Sequence, residues 1–147
     1  MRLATTNGED EAVQIWGTGA FDNDAAMRWV ESLEHADEMI LEETLDTVLE
    51  AEAQGDEPSP AEAAHAIAAA ETVAAFGKRP AELLPEEVRQ FCFDNPGFDL
   101  DEAQPKAMQA LGVVLSASGL RDLIEDRGDA DDWESELEEL RDRLRAD

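Results

Sequence analysis

The chain has 147 residues, of which 37 are acidic and 11 are Lys or Arg, so its formal net charge is −26. That length predicts one domain with a single core, and the charge argues against direct binding to nucleic acid or to anionic membrane surfaces. No apolar run reaches the roughly 20 residues that cross a bilayer, and the polar N-terminus has no signal-peptide pattern, which favours a cytoplasmic protein.

The most constrained stretch of the sequence is the run 16–24, WGTGAFDND, which leads into a helix that carries Trp29. Its two glycines permit turns that other residues resist. Asp22 or Asn23 is suited to cap the helix, and Asp24 falls in the first turn, where negative charge is favoured. We therefore treat this stretch as the candidate functional motif, with the residues Trp16, Gly17, Gly19, Phe21, Asp22, Asn23, Asp24 and Trp29.

Apolar residues at helical spacing, interrupted by capping residues, glycines and prolines, predict a series of helices along the chain. The run 59–62, SPAE, is a strong helix start, and the almost polyalanine helix that follows it is expected in the middle of the fold. A later helix contains Pro105, which is tolerable there only in the first turn. The expected helices run from the motif to about 35, then 38–54, 60–76, from 85 to the turn at 95–97, 101–116, from 118 to the stop at Gly128, and 129–145.

No segment alternates clearly enough for a β-strand, and 13–16 and 112–115 come nearest to that pattern. The chain is therefore predicted to be all-α, a compact single domain of six to seven short helices in an orthogonal or irregular bundle, with no sheet. Residues 1–12 are expected to form a flexible N-terminal arm, and residues 13–147 the helical domain.

The abundant carboxylates do not assemble into a recognisable metal site. The pairs at 22–24, 99–101 and 129–131 begin like calcium loops, but the positions that follow lack the further oxygen ligands and the glycine that such loops need. Glu62-x-x-His65 supplies half of a carboxylate-bridged metal motif, and Ser32 stands where His35 would need a glutamate to supply the other half. We expect no metal and no cofactor, and interpret the paired acids as helix caps.

The sequence also lacks a recognisable catalytic set, and we assign no catalytic residue. Cys92, the single cysteine, lies between two phenylalanines, where an apolar setting keeps a thiol protonated and inert. The run 17–19 before a helix is a weak phosphate-loop pattern, because no lysine follows it and Asp22 and Asp24 would repel a phosphate.

The run WGTGAFDNDAAMRW closely resembles the opening signature of the bacterial domain-of-unknown-function family 4259. The similarity covers about residues 13–145 and includes the alanine-rich helix that ends at Phe76 and the run 84–88, LPEEV. Arg28 departs from the family pattern, in which an acid is common at that position. The resemblance implies one helical domain and no particular activity. The matching residues of the signature are Trp16, Gly17, Gly19, Phe21, Asp22, Asn23, Asp24, Ala26 and Trp29.

Three functional hypotheses follow. The leading one is a non-enzymatic acidic module that binds another protein, in particular a basic one, as an immunity-type or antitoxin-type inhibitor would. The second is a small enzyme or ligand-binding protein with its site at the Trp16–Trp29 motif. The third is a salt-adapted protein whose charge reflects solvation alone.

The motif itself is expected to be architectural rather than reactive. In that interpretation both tryptophans are buried, Asp22 and Asp24 cap the helix, and Arg28 pairs with an acid. The sequence leaves the oligomeric state open.

Overall fold

A computed structural model describes residues 13–145 of the chain, so the expected arm at residues 1–12 lies outside the described residues. The described part is all-α, and its only pairing of β type is an isolated bridge between Ile15 and Asn23. The predicted all-α single domain is confirmed. Its helices are α1 (Asp24–Ser32), followed by a 3-10 turn (Leu33–His35), α2 (Met39–Ala53), α3 (Pro60–Phe76), α4 (Glu86–Asp94), α5 (Leu100–Ser116), α6 (Gly119–Arg127) and α7 (Ala130–Arg145).

Helix α3 is the centre of the fold, as its composition predicted. It packs against all six of the other α-helices. Small side chains allow neighbouring helices to approach its backbone closely from several sides, and this makes one central helix sufficient for six partners. Most of the length of α3 is buried, including Ala63, Ala64, Ala66, Ala68, Ala69, Ala70 and Ala74.

The start of α3 is fixed by a complete capping box. The Ser59 hydroxyl accepts a hydrogen bond from the Glu62 backbone N–H at 3.1 Å, and the Glu62 carboxylate accepts one from the Ser59 N–H at 3.0 Å. Pro60 occupies the first helical position, where its missing N–H costs nothing. The central helix therefore begins at a position that the sequence alone determines.

The outer helices each bury one apolar stripe against this centre. On α7 the stripe is a narrow seam on an otherwise charged helix, as its spacing predicted. Burying each of these large side chains contributes roughly 1.5–3 kcal/mol. The seam consists of Trp133, Leu137, Leu140 and Leu144.

Among the described residues no helix is both long and apolar enough to cross a membrane.

Helix α5 begins one residue earlier than expected, at Leu100, with the Asp99 side chain accepting a hydrogen bond from the Asp101 N–H at 3.0 Å. Pro105 consequently lies inside the helix and past its first turn, so the expectation for this proline is wrong. A proline there leaves the carbonyl four residues earlier without its usual donor. That carbonyl belongs to Asp101, which is exposed, so water can satisfy it.

The contact between the starts of α3 and α6 can be tested with a pair of glycine substitutions. A Cβ on Gly119 would lie 2.5 Å from Cδ of Pro60, whereas a Cβ on Gly112, in α5, would meet nothing within 4 Å. We expect Gly119→Ala to lower the free energy of unfolding by about 1–3 kcal/mol. Gly112→Ala, the matched control, should raise it by about 0.5–1 kcal/mol because alanine favours a helix. Urea denaturation measures both, and an unchanged stability for Gly119→Ala would contradict the close contact.

Candidate functional site

The signature loop, residues 16–22, is closed by backbone hydrogen bonds between the segments on either side of it. The Trp16 N–H donates to the Asp22 carbonyl at 2.9 Å, and the Asp24 N–H donates to the Gln14 carbonyl at 3.0 Å. These two bonds flank the isolated antiparallel bridge between Ile15 and Asn23. The loop is therefore a tight hairpin-like closure immediately before α1.

The carboxylate of Asp22 folds back into the signature loop. Its Oδ2 atom accepts a hydrogen bond from the Gly19 N–H at 3.0 Å. A Cβ on Gly17 would lie only 2.4 Å from this oxygen, and a Cβ on Gly19 would lie 2.9 Å from it. Neither glycine has a positive φ, so the expectation that they serve turn conformations is replaced by a steric reason. Glycine is needed at both positions to leave room for the carboxylate.

Asn23 is the residue that caps α1. Its side-chain oxygen accepts a hydrogen bond from the Ala26 N–H at 2.7 Å, and the residue is buried. Asp24 binds elsewhere, because its Oδ1 accepts from the Gln14 N–H at 2.9 Å and its Oδ2 pairs with Arg28 at 3.3 Å. The expected pairing of Arg28 with an acid is confirmed, whereas the expectation that Asp22 and Asp24 cap the helix is wrong. The two acids hold the loop instead.

The two tryptophans of the motif have opposite environments. Trp29 is only 6% exposed, and its indole N–H donates to the Thr44 hydroxyl of α2 at 2.9 Å. Trp16 is 59% exposed, so the expectation that both are buried is wrong for this one. The cause is the alternation of side chains in the extended segment, in which Ile15 packs against the core and its neighbour points away from it.

A residue far away in the sequence also anchors the loop. The Arg127 guanidinium, at the end of α6, donates to the Ile15 carbonyl at 3.0 Å and pairs with Asp129 at 3.1 Å. The end of α6 is thus joined to the segment that leads into the signature loop.

Beside the signature loop lies a cleft of about 620 Å³, which the sequence did not reveal. The loop residues Gly19 to Asp22 form one side, the connector 80–83 forms another, and α7 forms a third. Three residues of the motif line the cleft, namely Gly19, Phe21 and Asp22. The other five do not line it: Trp16, Gly17, Asn23, Asp24 and Trp29. The cleft is named here the signature cleft.

Glu71 and Arg143 meet at the floor of the signature cleft. The guanidinium donates from both terminal nitrogens to the two carboxylate oxygens, at 2.9 and 3.0 Å. The side chains are 7% and 16% exposed, respectively. Burial raises the pKa of the Glu71 carboxyl, and the hydrogen bonds and charge of Arg143 oppose that rise. Burial lowers the pKa of Arg143, but the hydrogen bonds to Glu71 and Glu139 outweigh it and raise the pKa overall.

The sequence did contain a signal for this pair. Glu71 is the one charged residue inside a buried run of alanines, and a buried carboxylate requires a cation. What the pattern could not supply was the partner, because Arg143 lies 72 residues later on a helix rich in charge.

Two other groups that the sequence singled out also have structural roles. Glu62 of the half metal motif is held in the capping box of α3. Cys92 is half-buried, and burial raises the pKa of its thiol to about 11, which keeps it protonated at neutral pH. Within residues 13–145, no group of three His, Cys, Asp or Glu side chains is placed to hold a metal ion.

His65 faces α1 and α2 from the central helix, in a small cavity that Glu43, Thr44, Thr47 and Glu62 also line. Burial and, second, the charge of Arg28 lower the pKa of its imidazole, while Glu62 and a backbone hydrogen bond oppose this. His65 therefore binds a proton less readily in the folded protein than in the unfolded chain.

The role of Asp22 in the loop predicts a coupling between Gly17 and Asp22. Gly17→Ala should lower the free energy of unfolding by about 1–3 kcal/mol, because the new Cβ displaces the carboxylate and the Gly19 N–H loses its acceptor. In an Asp22→Ala background the same substitution should cost less, by more than about 0.5 kcal/mol. Chemical denaturation of the two single variants and the double variant gives this coupling. Additive effects would mean that the glycine is needed for some other reason.

The lowered pKa of His65 predicts a loss of stability in acid. Because the unfolded imidazole takes up a proton near its ordinary value of 6.5 and the folded one does so only at lower pH, the stabilisation is complete above 6.5 and declines as the pH falls below it. We expect His65→Gln to flatten the pH dependence of the free energy of unfolding between about pH 7 and 5. His35→Gln is the matched control, since the His35 side chain is 88% exposed. A slope in His65→Gln equal to that of the wild type would contradict the prediction.

Comparisons with known proteins place this architecture in a family. Neither the curated proteins nor the solved structures include a match to the chain. A family model described as a domain of unknown function, DUF4259, matches residues 14–136, which include the signature loop and all helices as far as α7. The match confirms the expected family, and the chain belongs to the DUF4259 family.

Proposed function

We propose that this protein is a non-enzymatic module that binds a basic partner protein in the cytoplasm, rather than nucleic acid or a membrane. The observation that carries the proposal is that most of the protein's own Lys and Arg side chains in the described part are already paired with acids. In the described part of the chain, seven of the basic side chains are already in ion pairs with acids. They are Arg28, Lys106, Arg121, Arg127, Arg141, Arg143 and Arg145.

These pairs leave a large excess of acid on the surface, given a net charge of −26. Some of the cations serve two acids at once, as Lys106 does with Glu42 at 2.9 Å and Asp46 at 3.1 Å. A surface with such an excess attracts a positively charged protein over long distances and accelerates the encounter. An immunity-type or antitoxin-type inhibitor is one form that such a module takes.

The signature loop supports a binding role over a chemical one. The carboxylates of Asp22 and Asp24 each accept a backbone N–H, and Asn23 caps α1. Groups held in this way stabilise a loop and leave few atoms free for proton transfer or nucleophilic attack.

One observation favours the alternative of a small enzyme or ligand-binding protein. Glu71 is a buried acid with a raised pKa at the floor of a cleft, and perturbed acids in clefts mark many active sites. The two hydrogen bonds from Arg143 explain why Glu71 can be buried even if it has no catalytic role, since buried ion pairs of this kind also occur in structural roles. This is why we place the binding module first.

The proposal is tested by measuring binding to the proteins encoded beside this gene, with the purified chain immobilised on a sensor. We expect one basic partner to bind at low ionic strength, with an association rate that falls as salt is added, because the Debye length shrinks from about 30 Å at 0.01 M to about 3 Å at 1 M. Absence of binding above background at low ionic strength would contradict the proposal.

Circular dichroism at the same ionic strength is the control for that experiment. A folded chain at low salt validates the binding measurement. A chain that unfolds there and folds only near molar salt would instead support a salt-adapted protein whose charge has no partner.

A further inference from the structure

The signature cleft is lined by an apolar set and an acidic set of side chains, called here its apolar wall and its acidic wall. The apolar wall is formed by Phe21 of the signature loop and by Pro80 and Leu83 of the connector. Leu83 is 88% exposed, the most exposed of the large apolar side chains in the described part of the chain. A single exposed leucine is unremarkable on its own, but this one stands at the rim of a cleft beside another apolar side chain.

The acidic wall is contributed by three different segments. Asp22 comes from the signature loop, Glu82 from the connector, and Glu136 from α7. In residues 13–145 none of these three carboxylates takes part in an ion pair. Their charges therefore add up in a recess whose walls are partly apolar, where the field is less screened than on an open surface.

Arg143 is the one cation among the described residues that line the cleft, and it does not neutralise the acidic wall. The Arg143 guanidinium donates to Glu71 twice, to Glu139 from Nε at 2.7 Å, and to the Arg79 carbonyl from Nη1 at 3.1 Å. All three of its nitrogens are engaged at the floor, and two acids share its charge. Among the described residues that line the cleft, no second cation offsets the negative charge of the acidic wall.

We infer that the signature cleft docks a basic segment of the partner protein, with an Arg side chain between Asp22, Glu82 and Glu136 and an adjacent apolar side chain on Phe21 and Leu83. The inference rests on the proposed function and names the surface and the chemistry of the segment. Arg suits the site better than Lys, since a planar guanidinium donates to several carboxylates while its face packs on an apolar wall. The volume of about 620 Å³ is within the range that binds compact ligands.

The test uses synthetic peptides as probes, so that it does not depend on the identity of the partner. One peptide alternates Arg with Leu, a second alternates Arg with Gly, and their affinities for the full chain are measured by titration calorimetry at low salt. We expect the Arg–Leu peptide to bind more tightly. The amide resonances of Gly19, Asp22 and Leu83 should shift in nuclear magnetic resonance spectra when it is added.

Matched variants separate the cleft from the general charge of the surface. Glu82→Gln with Glu136→Gln should weaken the Arg–Leu peptide about tenfold. Glu31→Gln with Glu50→Gln removes the same charge from exposed positions away from the cleft and should have a much smaller effect. For the apolar wall, Leu83→Ser should weaken binding, whereas Phe93→Ser, which alters a side chain 80% exposed outside the cleft, should not. All four positions of the acidic variants are exposed, and circular dichroism checks that each variant folds.

Other results would overturn the inference in distinguishable ways. Equal losses in the cleft and control variants would show that binding is spread over the acidic surface, and the proposed function would stand without the cleft. Equal binding of spermine, with the same dependence on Glu82 and Glu136, would make the cleft a site for small polycations instead. If the basic partner binds the chain and the peptides do not, the cleft is not its docking site. If neither binds, the proposed function falls as well.

Discussion

The close packing of six helices around α3 is the constraint on which the other features depend. The small side chains of α3 let the neighbouring helices approach it closely, but they provide little large apolar surface of their own. The outer helices have to supply the bulk, which is why Trp29, Leu41 and Leu111 are buried on α1, α2 and α5. The same closeness explains why Gly119 is needed where α6 begins against Pro60. A wider central helix would demand a different arrangement of its neighbours.

The placement of Glu71 within that helix has a direct effect on the surface. A carboxylate on a helix surrounded by other helices must meet a cation at close range, and Arg143 of α7 supplies it through two hydrogen bonds. This pair joins α7 to α3, in addition to the apolar seam of α7. Two carboxylates of α7, Glu136 and Glu139, line the same cleft as the signature loop. Part of the acidity of the cleft therefore lies on the helix whose arginine the buried Glu71 requires.

Much of the fold was predictable from local patterns, because the relevant forces act within a few residues. The capping box at Ser59, the stop at Gly128 and the seam on α7 each depend on neighbours in sequence. The exposure of Trp16 and the carboxylate that makes Gly17 necessary depend on how the hairpin-like loop closes. The Glu71–Arg143 pair depends on which helices become neighbours. No period or spacing in the sequence encodes these three-dimensional relations.

The bond between Arg127 and the Ile15 carbonyl joins residues 112 positions apart, and it has a consequence for how the chain is made. The segment that enters the signature loop leaves the ribosome well before the arginine that anchors it, because Arg127 lies at the end of α6. Until then the N-terminal loop has only its own hydrogen bonds and its early helical neighbours to hold it. The contact with Arg127 can therefore form only late in biosynthesis, although the signature loop lies near the start of the domain.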